Sequence, residues 1–88
     1  MDIKYEKEKA REMLALIEQY IKSANKKEIN AKLNKLADEL YYKKRNLLSQ
    51  AMIDVALAVH SFTQAAIQAN YYQPLDEFIP DLKMVIER

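Results

Sequence analysis

Apolar residues recur along this chain at helical steps, in four blocks separated by short polar or turn-forming stretches. In the first block Ala10, Leu14, Ile17 and Ile21 follow at steps of four, three and four, a single helical stripe that Met13 and Tyr20 widen. The spacing predicts a helix from Ile3 to about Ser23, with Asp2 as its N-cap. A break at Ser23-Ala24-Asn25-Lys26-Lys27 precedes a second helix, from about Lys26 to Lys44. Asn25, followed three residues later by Glu28, has the spacing of a capping box. Ile29, Leu33, Leu36 and Leu40 form the inner stripe of this helix, while Lys32, Lys35, Asp38, Glu39 and Lys43 are expected toward solvent.

The third block, from about Gln50 to Ala69 after a connection over Arg45 to Ser49, is the most apolar. Met52, Ile53, Val55, Ala56, Leu57, Val59, Phe62, Ala66 and Ile67 leave little of its circumference polar. Such a helix is expected to be surrounded by others, at the centre of the molecule, with Ser49 as its N-cap. Asn70 to Pro74 forms the third break, and Leu75, Phe78, Ile79, Leu82, Val85 and Ile86 supply the inner face of a fourth helix. Pro80 interrupts that face, and a proline in a helix interior costs about 3 kcal/mol. Two arrangements avoid this: the last helix begins at Pro80, or a helical turn from Pro74 kinks there. Four helices with short connections predict an all-α, antiparallel up-down four-helix bundle over residues 1–88, its last helix short or kinked at Pro80. No segment has the alternation of a strand, and there is no internal repeat.

Composition removes several chemistries. The 88 residues include no cysteine, which excludes disulfides, thiolate nucleophiles and Cys-based metal sites. They include no glycine, which excludes the glycine-dependent loops that cradle phosphates and dinucleotides. The densely alternating charges of the first twenty residues do not have the pattern of a secretory signal. Residues Val55 to Leu75 carry no Asp, Glu, Lys or Arg, yet His60, Gln64, Gln68, Asn70 and Gln73 among them mark a buried helix and turn, not a bilayer span. The net charge of +1 is unevenly spread, at −1 over residues 1–21, +5 over 22–45 and −3 over 46–88. This balance does not predict nucleic acid as a partner, and only a local basic face survives it.

No catalytic, cofactor-binding or metal-binding constellation emerges, so the chain is expected to bind rather than to catalyse. His60 is the single histidine, and its neighbours four residues away, Ala56 and Gln64, offer no ligand. Asp76, Glu77 and Asp81 suit the positive end of the last helix's dipole. Asp54 has no catalytic partner in sequence and is expected near water at the end of the bundle. Lys43, Lys44 and Arg45, with Lys26, Lys27, Lys32 and Lys35 on the same element, are the main electrostatic feature. Charges on the outside of a bundle are ordinarily a solvated surface; the functional alternative is contact with lipid headgroups, an acidic protein or nucleic acid. Tyr41-Tyr42 and Tyr71-Tyr72 each stand at a helix end, where one ring packs inward and the other serves as core trim or as a binding anchor.

Residues Ile53 to Arg88 resemble the C-terminal half of the immunity proteins for pediocin-like (class IIa) bacteriocins, the enterocin A immunity family above all. The resemblance is carried by the apolar helix with Phe62-Thr63, the aromatic turn Tyr71-Tyr72, and the ending Glu77-Phe78-Ile79-x-Asp81-Leu82-x-x-x-Ile86-x-Arg88. The pattern Ile29-x-x-x-Leu33-x-Lys35-Leu36-x-x-x-Leu40 is similar too. It implies a cytoplasmic four-helix bundle, peripheral at the inner membrane face, that protects a bacterium from a pore-forming peptide. In that family, protection involves recognition of the peptide-occupied membrane receptor, the mannose phosphotransferase permease, from the cytosolic side, with much of the specificity in the C-terminal half. Carried over, the resemblance points to Asn70, Tyr71, Tyr72, Gln73, Asp76 and Glu77 as partner-binding residues. The alternative is a small regulatory or assembly protein, a homodimer or a partner-helix binder, suggested by the surplus of apolar side chains on the third helix.

Overall fold

A computed structural model of the protein describes residues 3–88, so the expected N-cap Asp2 lies outside the described residues. Four helices follow in chain order: α1 (Ile3–Lys22), α2 (Lys26–Tyr42), α3 (Gln50–Ala69) and α4 (Ile79–Glu87). Single 3-10 turns stand at Lys44–Asn46 and Asp76–Phe78, and no strand occurs among the described residues. The helices form an antiparallel bundle measuring 34 × 23 × 16 Å. Its direction reversals are pinned by side chains. Tyr5 near the start of α1 donates to Glu39 Oε2 near the end of α2 at 2.6 Å, and Tyr20 near the end of α1 donates to the Gln73 carbonyl before α4 at 2.8 Å. One end of the bundle therefore carries the α2–α3 connection and the other carries the α3–α4 connection.

The inner faces of α2 and α4 are those the periodicity predicts. Ile29, Leu33, Leu36 and Leu40 are buried, as are Leu75, Phe78, Leu82 and Val85, with Ile79 and Ile86 packed at the edge of the same core. Helix α1 is turned relative to expectation. Its buried stripe is Glu6, Ala10, Met13, Ile17 and Tyr20, while Leu14 is half-buried and Ile21 is 45% exposed. Ala10, Met13, Ile17 and Tyr20 of the expected face are thus buried, and the shift away from Leu14 and Ile21 places Glu6 at the head of the stripe.

Helix α3 is not surrounded. It buries Met52, Val55, Ala56, Val59, Thr63 and Ala66, and leaves Gln50, Asp54, Leu57, Ser61, Ala65 and Gln68 in solvent. Leu57 and Ile67, at 37% and 58% exposed, made this outer side look like interior. Polar bonds tie α3 to α2. The buried Asn30 amide donates to the Thr63 carbonyl at 3.1 Å, and Asn34 donates to Thr63 Oγ1 at 2.9 Å. His60, the lone histidine, lies 3.2 Å from Asp38 and stacks on Tyr41, which adds a third link between α3 and α2. Nor does α2 send all its charges outward, since Asp38 and Glu39 are half-buried in these contacts.

The helix ends show what local sequence could and could not specify. Asn25 caps α2 by accepting from Glu28 N–H, and its amide donates to the Glu28 carboxylate. Ser49 occupies the N-cap of α3 but makes no side-chain capping bond. The fully buried Glu6 holds the backbone just before the helix, accepting from Leu48 N–H at 2.7 Å and from Ser49 N–H at 3.0 Å. Asn70 ends α3 in the left-handed region, at φ 54° and ψ 36°. Pro80 falls in the first turn of α4, after the 3-10 turn Asp76–Phe78, where no backbone donor is required. The last helix is short, and it begins at Ile79.

Candidate functional site

The six residues expected to bind a partner lie at the α3–α4 end, and the structure brings some of them together. Tyr72, Gln73 and Asp76 line a cleft of about 380 Å³ with Pro74, Tyr20, Ile21 and Lys26. Tyr20 roofs it through the hydrogen bond to the Gln73 carbonyl. Lys26 closes the other side, donating to the Tyr20 carbonyl at 2.6 Å and lying 4.7 Å from the Tyr20 ring centroid. Tyr72 is half-buried and donates to Asn70 Oδ1 at 3.2 Å, whereas Tyr71 is 63% exposed. One ring of the pair packs and the other projects. Glu77 is exposed in the 3-10 turn and does not line the cleft. Asn70 belongs first to the backbone, because its conformation ends α3.

Sequence reasoning missed Tyr20, Ile21, Lys26 and Pro74 as cleft residues. The first two were assigned to the core, and nothing local indicates that Lys26 turns back over the end of α1. Burial, together with the nearby Tyr71 and Tyr72 oxygens, raises the Tyr20 hydroxyl above the ordinary tyrosine value. It remains a neutral donor at the mouth of this cleft.

The basic residues divide into separate groups. Lys43, Lys44 and Arg45 lie at the α2–α3 end, opposite the cleft. Lys43 approaches the Tyr5 hydroxyl at 3.4 Å, and Lys44 sits 3.8 Å from the Tyr41 ring centroid. Lys32 and Lys35 instead flank a shallow groove of about 470 Å³ between α1 and α2, floored by Ala15, Leu16 and Leu36. Within it Lys9 bridges Glu12 at 3.3 Å and Glu39 at 3.1 Å. The bond from Tyr5 holds Glu39 below the ordinary carboxylate value, with burial opposing and Lys9 assisting. Burial would lower Lys9, but its bonds to Glu39 and Glu12 outweigh that and raise it.

Neither the cleft nor the groove presents a nucleophile beside a base. No group of three His, Asp or Glu side chains capable of holding a metal occurs among the described residues. No helix among them is long and apolar enough to cross a membrane. The α3–α4 end carries a recess lined by Tyr20, Ile21, Tyr72 and Pro74 together with Lys26, Gln73 and Asp76, and Tyr71 is exposed at the same end. Comparison with family models, with curated proteins and with solved structures found no match.

Proposed function

We propose that this chain is a non-catalytic immunity-type protein that binds a protein partner through its α3–α4 end. In this reading it protects a bacterial cell from a pore-forming peptide by engaging the peptide's membrane receptor from the cytosolic side. The sequence resemblance over residues 53–88 supports it. One structural observation carries it: Tyr71 projects beside a recess walled by Tyr20, Ile21 and Tyr72, all at the end that the resemblance singles out. Exposed tyrosine bounded by an apolar pocket is a common binding anchor, because the ring buries area at little entropic cost.

Expression in a strain sensitive to class IIa peptides tests the proposal. Survival under challenge is the expected outcome, and unchanged killing across a representative panel overturns it. Tyr71→Ala combined with Tyr72→Ala should abolish protection while helical circular dichroism is retained.

The second reading, a homodimer built on α3, rests on Leu57 and Ile67, which are 37% and 58% exposed. Ten residues of helix separate them by about 15 Å along the axis and about 80° around it. They do not form one face. Sedimentation at micromolar concentration should therefore return a monomer.

A further inference from the structure

The α2–α3 end is chemically unlike the rest of the surface. Two of the most exposed large apolar side chains of the protein stand there, Tyr42 at 78% and Leu48 at 64%. Between them in sequence lie Lys43, Lys44 and Arg45, and Lys4 and Lys7 belong to the first turns of α1 at the same end. Several anions of this end are already engaged. Glu6 holds the Leu48 and Ser49 N–H groups, Glu39 holds Tyr5 and Lys9, and Asp54 accepts from Gln50. Arg45 is exposed and forms no ion pair among the described residues. These bonds leave the carboxylates charged, but the cations of this end, Lys4, Lys7, Lys9, Lys43, Lys44, Arg45 and Arg88, outnumber its acids, Glu6, Glu8, Glu39, Asp54 and Glu87, so the balance around the pair of projecting apolar groups is positive.

We infer that this end docks on an anionic phospholipid surface. A tyrosine is well placed at headgroup depth, a leucine gains by leaving water for the acyl boundary, and cations pair with lipid phosphates. A nucleic acid makes use of the cations and of a stacking ring, but gives an exposed leucine nothing to pack against. A partner helix is better served by a groove, and the two clefts described above lie elsewhere, between α1 and α2 and at the opposite end. The fold presents the tip with little freedom. Leu47 is buried as an anchor, the 3-10 turn Lys44–Asn46 is short, and Glu6 clamps the backbone at Leu48 and Ser49. Docked end-on, the molecule holds its α3–α4 cleft clear of the lipid, where it meets only a part of a receptor that protrudes from the bilayer.

The test is co-sedimentation of the full chain with vesicles of equal parts phosphatidylglycerol and phosphatidylcholine, at an ionic strength of about 0.15 M. Binding to these vesicles, and not to pure phosphatidylcholine, is expected. Lys44→Gln with Arg45→Gln should weaken it about 30-fold, since each cation near such a surface contributes about fivefold. Tyr42→Ser with Leu48→Ser should weaken it on the order of tenfold, with circular dichroism verifying that both pairs fold. Tyr71→Ala with Tyr72→Ala, at the other end, should bind as the parent chain does. Absence of binding, equal binding to the neutral vesicles, or indifference to the Tyr42 and Leu48 changes overturns the inference. So does equal affinity for duplex DNA or polyglutamate, either of which assigns the cations to another partner. Vesicle binding and cell protection are separate readouts, so failure of one is distinguishable from failure of the other.

Discussion

At the residue scale the most informative side chain is Glu6. A carboxylate removed from water is tolerated only where donors replace the water, and Glu6 finds two backbone N–H groups at the head of α3. It fixes the backbone that leads into α3, a different task from that of an N-cap side chain, which accepts from N–H groups inside the first turn. Ser49 Oγ is left buried with no hydrogen-bond partner. Ordinarily, Ser→Ala at an N-cap costs about 1 kcal/mol. Here Ser49→Ala should stay within about 0.5 kcal/mol of the parent, and Glu6→Gln should cost about 1–3 kcal/mol, as urea denaturation will measure. A larger loss for Ser49→Ala places the cap on the serine and refutes the assignment. The cluster of Tyr5, Glu39 and Lys9 makes a second prediction. In the fold Glu39 lies below its ordinary 4.5, so its stabilisation is complete above that pH and fades as pH falls through the lowered value. Burial, the bond to Glu39 and the nearby Glu39 and Glu12 charges hold Tyr5 above its ordinary 10.0. The folded chain therefore keeps that proton more tightly, and stability is lost as pH rises beyond 10.0 toward the raised value. Because the Tyr5 bond is the main reason Glu39 is lowered, Tyr5→Phe should flatten the stability profile on both the acid and the alkaline side.

At the element scale the boundaries were legible wherever a local rule operates. Asn25 before α2, the 3.6-residue stripes of α2 and α4, and the span of α3 all follow from neighbours in sequence. The phase of α1 and the environment of α3 did not, for opposite reasons. A buried glutamate at the head of α1 extended its inner face past the apolar residues, and exposed Leu57 and Ile67 on α3 imitated one. The candidate cleft was half legible: Tyr72, Gln73 and Asp76 were singled out, but Tyr20, Ile21 and Lys26 reach it only because α1 ends opposite the α3–α4 turn. At that turn, Asn70 holds a left-handed conformation that glycine adopts freely and most residues adopt at a cost of about 1–2 kcal/mol. Asn70→Gly should therefore leave the thermal midpoint nearly unchanged, and Asn70→Val should lower it. If the two behave alike, the backbone there is not set by the cap.

At the scale of the whole molecule a narrow margin separates recognition residues from structural ones. A chain of 88 residues has a stability of about 4–13 kcal/mol. Leu82 is fully buried in α4, against the core that α1 completes. Truncating such a leucine to alanine costs about 2–5 kcal/mol, because the cavity collapses only in part. In a domain this small each kcal/mol moves the midpoint by about 4–8 °C, so Leu82→Ala should lower it by at least about 8 °C. Tyr71 is mostly in water and contributes little by burial, so Tyr71→Ala should shift the midpoint by no more than a few degrees, corresponding to about 0.5 kcal/mol. Calorimetry on the two variants decides between two uses of the α3–α4 end. A large drop for Leu82→Ala beside a flat response for Tyr71→Ala leaves the projecting ring available to a partner. Comparable drops make Tyr71 part of what keeps the bundle closed, and loss of protection in the Tyr71→Ala, Tyr72→Ala chain then reports unfolding instead of a broken interface.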